Sequence, residues 1–397
     1  MMKKTLLSIA VLLLPFLFAK AQETAKTDTF QFTVVKELPI TSVKNQASSS
    51  TCWSFSGLGL FEAELLRLGK PEVDLSAMFV VYRCYSDQAD KYVRTQGNIN
   101  FAPGGSFYDV LCVLKNDGIV PDELMRGLNY GEELHRHGEM DAVLAAYVKT
   151  VVQNKNRKLS TAWKKGFDGI LNAYLGEPPT EFVYKGKTYT PQSYMQSLGL
   201  NMDDYVSLTS FTHHPFYEKF AIEIPDNWRW SESYNLPLDE LMRIFDYAID
   251  NGYTVAWGAD VSEKGFNRNG LAVNPETNTA NMPGSDQAHW LGISQREMEE
   301  MIFNATGPQP EVKVTQELRQ AGFENYQTTD DHGMLIYGTA KDQNGKKYYL
   351  VKNSWGTDNK YKGIWYASES FVAHKTINIM THKNAIPKDL KEKLGIR

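Results

Sequence analysis

Cysteine is scarce in this chain, which has three cysteines in 397 residues. An odd number allows at most one disulfide, so a fold held by a disulfide framework is excluded and at least one thiol stays free. Cys84 and Cys112 stand among apolar neighbours and are predicted to be structural residues. Cys52 differs, because it follows four hydroxyl residues and precedes a tryptophan in KNQASSSTCWSFSG.

Positive charge is also in deficit. The chain has 42 Lys and Arg against 47 Asp and Glu, a formal net charge of −5. This balance argues against nucleic acid and anionic membrane surfaces as partners. The sequence has neither internal repeats nor low-complexity tracts, and with 42% hydrophobic residues its composition is that of a globular protein with a large core.

Long hydrophobic runs are missing apart from residues 6–19, which are too few to span a bilayer and are interrupted by Pro15. Lys3 and Lys4 precede this run, and the small-x-small sequence AKA ends it. The arrangement predicts a signal peptide over residues 1–21, and therefore a periplasmic or otherwise exported protein with no membrane insertion after cleavage. Cleavage would remove three lysines and no acidic residue, taking the net charge from −5 to −8.

Three sections follow the predicted signal peptide. Residues 22–130 are predicted to hold an N-terminal arm and a helical half. Residues 131–250 are predicted to be a mainly helical insertion with its own packing. Residues 251–397 are rich in strand patterns, contain the hairpin signal DQNG, and end in a helix. Helices first and strands later predict an α+β fold.

The segment that begins at Cys52 has helical periodicity. Apolar residues recur at spacings of 3, 3, 4 and 3 from Phe55 to Leu68, which places them on one helix face. Residues 49–51 are hydroxyl residues suited to an N-cap. Cys52 is therefore predicted to lie in the first turn of a buried helix, where unpaired amides carry partial positive charge.

The surroundings of Cys52 suggest a nucleophile, since a cysteine attacks carbonyl carbons as the thiolate and a nearby histidine favours that form. Among eight histidines, His332 stands out because DDHGMLIYG places it at the start of a strand. Asn353 in KNSWG can accept the ring N–H of His332 and fix its tautomer, and Trp355 can shield that bond from water. Gln46 and the Cys52 backbone N–H can stabilise an oxyanion. This order predicts acyl transfer by a cysteine peptidase.

NQASSSTCWSF, DDHGMLIYG and YYLVKNSWG resemble segments of the papain-like cysteine peptidases. The resemblance implies a catalytic set made of Cys52 as nucleophile, His332 as general base and acid, Asn353 as orienting residue, Gln46 as oxyanion donor and Trp355 as shield. Ser50 departs from the family's pattern, in which glycine or glutamate is usual at this position.

The interval between cysteine and histidine narrows the resemblance. Papain and cathepsin sequences have about 130–150 residues there, whereas this chain has 332 − 52 = 280. With EVDLSAMFVVYRCY, APGGSFYDVLCVLKNDGIVP and YTVAWGADV, it resembles the bleomycin hydrolase and aminopeptidase C branch. That implies a papain-like fold, with a helical half, a β-barrel-like half and a large helical insertion. It also implies a peptide substrate, no metal or organic cofactor, and a homo-oligomer, usually a hexamer. Gly104 and Gly105 match the glycine pair whose backbone binds substrate.

The favoured interpretation is an aminopeptidase, and three alternatives stay open. In the aminopeptidase C branch a C-terminal arm pairs its carboxylate with the substrate amino group, whereas AIPKDLKEKLGIR matches only the helix before that arm. An endopeptidase with an open cleft is therefore one alternative. A transglutaminase-like acyl transferase is a second, although that class orients its histidine with aspartate. The third is a catalytically silent peptide-binding protein.

Each of these residues also has a non-catalytic interpretation. Cys52 alone fits a buried thiol, His332 a core histidine, and Asn353 a turn residue. The glycine pair could simply form a loop, and Trp355 could be a core residue. Two histidine pairs, His135 with His137 and His213 with His214, invite interpretation as metal ligands. Neither pair has cysteine or carboxylate partners at ligand spacing in the sequence, so surface or packing roles are predicted for both.

Overall fold

The computed structural model describes residues 29–155, 158–282 and 284–397, and the predicted signal peptide lies outside this part of the chain. Its helices are α1 (Cys52–Arg67), α2 (Ala77–Arg94), α3 (Phe107–Asn116), α4 (Gly138–Val152), α5 (Ala162–Leu175), α6 (Pro191–Leu198), α7 (Leu238–Asp250), α8 (Gly284–His289), α9 (Gln295–Phe303), α10 (Gln316–Glu324), α11 (Glu369–Lys375) and α12 (Lys388–Leu394). Its strands are β1 (Thr33–Glu37), β2 (Phe182–Tyr184), β3 (Lys187–Tyr189), β4 (Tyr205–Thr209), β5 (Lys219–Ala221), β6 (Glu232–Asn235), β7 (Val255–Ala259), β8 (Phe266–Asn267), β9 (Leu271–Ala272), β10 (His332–Lys341), β11 (Lys347–Lys352), β12 (Ile364–Ser368) and β13 (Thr376–His382).

Eleven of the described strands form one mixed sheet. Ten follow the order β5-β6-β4-β13-β7-β10-β11-β12-β9-β8, and β1 pairs with β10. Strands β2 and β3 form a separate hairpin. Helices α1 to α3 come first in the chain and most long strands come after α7, so the predicted α+β class is confirmed.

Helix α1 begins at Cys52, as the sequence predicts, after a sharply turned loop. Ala47 and Ser50 have φ angles of 47° and 56°, in the left-handed region that favours glycine. Thr51 is the N-cap residue, and its hydroxyl lies 2.5 Å from the hydroxyl of Ser49. As the first residue of the helix, Cys52 has a backbone N–H without an acceptor inside the helix.

Two glycines let α1 lie close to its neighbours. A Cβ atom on Gly333 would come within 2.7 Å of the Ser56 hydroxyl, and one on Gly57 within 2.7 Å of the Val110 side chain. Such distances are too short for any larger residue. The first turn of α1 therefore packs directly on the start of β10, where His332 lies.

Strands β10 and β11 form the predicted hairpin. The Asp342 N–H donates to the Lys346 carbonyl at the turn, and Gly345 has a φ of 79°. The register pairs Leu335 with Lys352. Because β10 begins where β11 ends, this hairpin brings residues 332 and 353 together at one edge of the molecule.

The predicted insertion contains the expected helices α4, α5 and α7, but it does not pack on its own. Apolar residues of α4, α5 and α6 share one core with those of α1, α2 and α3. Strand β4 pairs with β13 and β6 pairs with β4, so both extend the main sheet. Helical periodicity shows that a helix has an apolar face, but not which surface covers it. The limits at residues 131 and 250 stay a prediction.

The two faces of the sheet carry different cores. Along β10, Leu335 points into the core that includes α1, whereas Met334 and Ile336 point into a second core with α7, α11 and α12. The last helix is tied to α7 by ion pairs from Arg243 to Asp389 and from Lys393 to Glu240. Among the described residues, no helix combines the length and apolar character needed to cross a membrane.

Candidate active site

A cleft of about 430 Å³ opens where the start of α1 meets the start of β10. Its walls come from the loop before α1, the loop over residues 102–107, the segment around residues 224–226, and the start of β10. Six of the seven predicted site residues line it: Gln46, Cys52, Gly104, Gly105, His332 and Trp355. The seventh, Asn353, lies behind His332.

The sulfur of Cys52 accepts hydrogen bonds from the backbone N–H groups of Trp53 and Gly333, which favour the thiolate. Burial acts in the opposite direction and is the larger effect. Together with the negative charges of Asp330 and Asp226, it raises the pKa of Cys52 to about 12. The resting cleft therefore holds a protonated thiol. Since Gly333 follows His332 directly, the same contact sets the sulfur beside the histidine.

Hydrogen bonds fix the tautomer of His332. Its Nε2 lies 2.7 Å from Asn353 Oδ1, and the same oxygen accepts the Ser354 backbone N–H at 2.7 Å. An atom that accepts a backbone N–H is the carbonyl oxygen of the amide, so Nε2 of His332 carries the proton and donates. Nδ1 is then free to accept a proton. Burial lowers the pKa of His332 to about 4, which keeps the ring neutral at physiological pH.

Trp355 covers the histidine. Its ring lies 4.7 Å from the His332 ring, and it packs edge-on against Trp365 and Phe266. Trp355 itself is 38% exposed, whereas His332 is 5% exposed and Asn353 is 2% exposed. The indole thus separates the His332–Asn353 hydrogen bond from solvent, where water would compete for it.

Gln46 is held by Ser354, a residue that the sequence reasoning did not select. The Gln46 N–H donates to the Ser354 carbonyl at 2.8 Å, and the Ser354 hydroxyl donates to Gln46 Oε1 at 2.6 Å. With Oε1 occupied in this way, the amide Nε2 is left to face the cleft. The placement fits the predicted oxyanion donor, and Ser354 could have been noticed as the residue between Asn353 and Trp355.

The glycine pair lines the cleft opposite His332. A Cβ on Gly105 would lie 2.8 Å from the Trp53 indole, and a Cβ on Gly104 would overlap the carboxylate of Asp226. Both positions therefore require glycine. The role of their backbone in substrate binding stays a prediction.

Two carboxylates in the cleft were not foreseen. Asp330 was visible in the DDHG segment, two residues before His332, but no chemistry was attached to it. Asp226 lies in the predicted insertion, 174 residues from Cys52, and carried no motif. Only the folded chain brings it to Gly104.

The histidine pairs outside the cleft have different surroundings. Contrary to expectation, His213 and His214 share a carboxylate, because their Nε2 atoms lie 3.0 and 2.8 Å from the two oxygens of Glu223. Gln320 Nε2 lies 2.9 Å from His213 Nδ1, and Thr212 N–H donates to Gln320 Oε1, which fixes that amide. Nδ1 of His213 therefore accepts, and its Nε2 proton points at Glu223, where a metal would need a lone pair.

The other pair is buried in the helical core. Both ring nitrogens of His137 and Nδ1 of His135 lack hydrogen-bond partners among the described residues. Burial lowers the pKa of each to about 4. These rings pack against one another and against aromatic neighbours, so the predicted packing role is confirmed for this pair.

All three cysteines lie in the described part of the chain and none forms a disulfide. Cys84 is buried and Cys112 is half-buried, in agreement with structural roles. Burial raises the pKa of both thiols. Cys52 is thus distinguished by its place in the cleft, not by being the sole free thiol.

A family model described as "Peptidase C1-like family" matches residues 13–282 and 311–396. Aminopeptidase C of Streptococcus thermophilus is 23% identical to this chain over an alignment that covers 92% of the chain and 86% of that protein. Aminopeptidase E of Lactobacillus helveticus is 20% identical, with 90% and 84% covered. Aminopeptidase C of Lactococcus lactis subsp. cremoris is 22% identical, with 95% and 88% covered.

Among solved structures, PepW from Lactobacillus rhamnosis HN001 matches with a TM-score of 0.69 at 19% identity, covering 91% of this chain and 84% of that one. The fold is therefore shared over nearly the whole chain. The family model spans more than half of the sequence, which confirms the resemblance drawn from its motifs. This chain belongs to the Peptidase C1-like family and is a cysteine-type peptidase with a papain-like α+β fold.

Proposed function

We propose that this protein is an exported aminopeptidase that removes residues from the free N-termini of peptides, with Cys52 as nucleophile and His332 as general base and acid. One observation carries the assignment of roles. Asn353 fixes the proton of His332 on Nε2, so the unprotonated Nδ1 is the ring atom available to the thiol in the same cleft.

In the first half of the reaction, the Cys52 thiol proton moves to His332 Nδ1 as the sulfur attacks the substrate carbonyl carbon. The carbonyl oxygen gains the electron pair and accepts hydrogen bonds from Gln46 Nε2 and the Cys52 backbone N–H. The imidazolium then gives its proton to the amine nitrogen. The C–N bond breaks, the amine departs, and a thioester to Cys52 remains.

In the second half, His332 takes a proton from water, and the resulting hydroxide attacks the thioester carbonyl. The oxyanion binds to the same two donors. Collapse of this intermediate expels the Cys52 sulfur, which regains its proton from His332 as the carboxylic acid product leaves. Asn353 keeps the ring oriented throughout, because its acceptor oxygen binds the Nε2 proton in both charge states.

The restriction to N-termini is supported by the relatives named aminopeptidase C and aminopeptidase E, which align over about nine-tenths of this chain. The last helix, α12, packs on α7, and no residue beyond Asn378 lines the cleft in the described chain.

The test combines active-site labelling with matched thiol variants. An epoxide thiol inhibitor should label the wild-type protein once, at Cys52, and abolish hydrolysis of an aminoacyl arylamide. Cys52→Ala should lose both properties. Cys112→Ala removes a half-buried thiol outside the cleft and should keep both. An unlabelled wild-type protein would refute the mechanism and favour a silent peptide-binding protein.

Substrate choice separates the exopeptidase from its main rival. The proposed enzyme should cleave aminoacyl and dipeptidyl arylamides with free amino groups at least tenfold faster, in kcat/KM, than internally quenched peptides blocked at the N-terminus. Equal or faster cleavage of the blocked peptides would establish an endopeptidase instead.

Export rests on the sequence of residues 1–21 alone. N-terminal sequencing of protein recovered from the periplasm should find a mature chain that begins near Gln22. An intact Met1 would contradict export. Light scattering on the purified protein would test the homo-oligomer that the family resemblance implies.

A further inference from the structure

The catalytic cleft is acidic on one side and carries no compensating cation. Asp226, Asp330 and Asp331 line it, and none of the described residues that line it is Lys or Arg. A peptide-binding cleft without positive charge and with three carboxylates is suited to a positively charged part of its substrate.

The three carboxylates are not equivalent. Asp331 accepts hydrogen bonds from the backbone N–H groups of Val261 and Ser262 at 2.8 and 3.1 Å, so its carboxylate is already satisfied within the protein. Asp226 and Asp330 have no hydrogen bond or ion pair with any residue in the described part of the chain. Two half-buried carboxylates near one another without a counter-charge are unfavourable, and a bound cation would relieve this.

Asp226 is held in place by its own segment. Asn227 bonds to the Ile222 and Ser231 carbonyls, and Trp228 is buried. Arg229 makes a 2.6 Å ion pair with Asp109 and a 2.8 Å ion pair with Asp87. The segment that carries Asp226 is therefore fixed on helices α2 and α3, and this preorganises the carboxylate at the cleft.

The position of Asp226 bears on what kind of cation binds. Its carboxylate occupies the space over the Cα of Gly104, where a side chain would otherwise lie. This is the backbone wall of the cleft, the place that the sequence assigned to the main chain of the substrate. A carboxylate here takes up space at the wall of the cleft beside Gly104.

The second polar feature of the cleft points to the same ligand. Gln46 is 5% exposed, and its Oε1 is occupied by Ser354 while its Nε2 faces the cleft. The cleft thus offers one donor for a carbonyl oxygen and two acceptors without donors. An amino acid residue at the free end of a peptide presents a carbonyl and an ammonium group.

We propose that Asp226 and Asp330 bind the α-ammonium group of the peptide substrate, and that Asp226 closes the cleft beyond it. This inference rests on the proposed function and names the groups that give it exopeptidase specificity. Asp226 and Asp330 act as specificity residues, since they touch the substrate amino group and not the reacting bond.

The arrangement also couples substrate binding to the nucleophile. The negative charges of Asp330 and Asp226 contribute to the raised pKa of Cys52. A bound ammonium group pairs with the ionised forms of Asp226 and Asp330, so that these carboxylates no longer oppose formation of the thiolate. A blocked substrate brings no such charge, so it loses both the anchor and this activation.

The test measures kcat/KM for alanyl and dialanyl arylamides, each with a free and an N-acetylated amino group, in the wild-type enzyme and in Asp226→Asn and Asp330→Asn. The wild-type enzyme should prefer the free amine at least 100-fold. Each variant should lose tenfold or more on free-amine substrates, mainly through KM, and lose nothing on N-acetylated ones. Glu223→Gln removes one charge from the same segment outside the cleft and should keep the wild-type ratio.

A second readout tests the electrostatic effect directly. The pH profile of Cys52 alkylation by iodoacetamide should shift to lower pH in Asp330→Asn, because a negative charge near the sulfur is removed. A structural defect would change the labelling yield without moving this profile.

Three results would overturn the inference while leaving the proposed aminopeptidase intact. They are an unchanged preference for free amines in both variants, an equal loss on free and N-acetylated substrates, and rapid cleavage of N-acetylated substrates that carry lysine next to the cleaved residue. The last would mean that the carboxylates bind a side chain. A wild-type enzyme with no preference for free amines would instead refute the exopeptidase function itself.

Discussion

Two groups of polar residues in the cleft, one hydrogen-bonded and one acidic, differ in how their hydrogen-bonding needs are satisfied. In the hydrogen-bonded group, His332, Asn353, Ser354 and Gln46 are linked by hydrogen bonds of 2.6 to 2.8 Å. The acidic group, Asp226 and Asp330, also lines the cleft but has no partner in the described residues. The linked groups are held in a fixed geometry, whereas the unpartnered groups are the ones that we propose to bind the substrate ammonium group.

The largest expected effect on activity comes from removing a member of the hydrogen-bonded group. His332→Ala removes the general base and acid and should lower kcat by roughly 10⁴-fold. Steady-state kinetics on an aminoacyl arylamide would measure this loss. Thermal unfolding should still be cooperative, since the β10–β11 hairpin does not depend on the ring. Activity within tenfold of the wild type would show that another group takes the proton.

Gln46→Ala should reduce kcat by about 10²- to 10³-fold, because the oxyanion loses one of its two donors. KM should change little if the donor acts mainly in the transition state. Ser354→Ala is the natural companion variant, since it removes the hydroxyl that orients Gln46 but leaves the donor in place. It should cost less than Gln46→Ala, and the reverse order would contradict the assigned roles.

Gly104→Ala tests the close approach between Gly104 and the Asp226 carboxylate. The added methyl overlaps the Asp226 carboxylate and should lower the free energy of unfolding by about 1–3 kcal/mol. The same change made in an Asp226→Ala background should cost much less, as the obstructing atoms are gone. Gly169→Ala, in helix α5 with open space around it, is the control and should not destabilise. Urea denaturation measures all five proteins: the wild type, the three single variants and the double variant.

The smallest effect concerns the pH dependence of stability. Burial, with the charges of Asp226 and Asp331, raises the pKa of Asp330 to about 8. A carboxyl whose pKa is raised in the folded state binds its proton more tightly there. It therefore imposes no penalty below its unfolded pKa near 3.9, destabilises increasingly as pH rises from there to about 8, and adds a constant penalty above that. Asp330→Asn should raise the free energy of unfolding at pH 9 by on the order of 1 kcal/mol, since solvent screens a half-buried group.

The free energies of unfolding of the wild-type and Asp330→Asn proteins should become equal at low pH. At pH 4 wild-type and Asp330→Asn proteins should unfold at the same urea concentration, because the carboxyl is protonated in the folded state. A stability difference that is independent of pH would mean that the substitution acts through packing instead of charge.

Much of the hydrogen-bonded group could be predicted from the sequence, because short local patterns specify the helix and the hairpin that carry its residues. The apolar spacing from Phe55 onward indicates the helix that begins at Cys52, and DQNG indicates the hairpin that joins His332 to Asn353. The residue types in each motif also indicate a chemical role. What the sequence could not supply is the meeting of these segments, which long-range packing of α1 on β10 decides.

The acidic group could not be predicted, because its position depends on contacts between distant parts of the chain. Asp226 lies in a stretch whose helical patterns suggested a separate unit, and nothing local ties it to Gly104. The placement depends on Arg229 reaching Asp109 and Asp87 on other helices. Likewise, the strands β4 and β6 are only five and four residues long and contain polar residues, so nothing local in them indicates that they join the main sheet.

The direct contact of Gly333 with the first turn of α1 has a consequence for how the enzyme comes into being. Its hairpin can form from neighbouring residues, whereas the sulfur meets the histidine only when a loop of 280 residues is closed, and closing it carries an entropic cost. A partly synthesised or partly folded chain therefore cannot hydrolyse its surroundings. Hydrolytic activity in this molecule reports that the whole chain has reached its native topology.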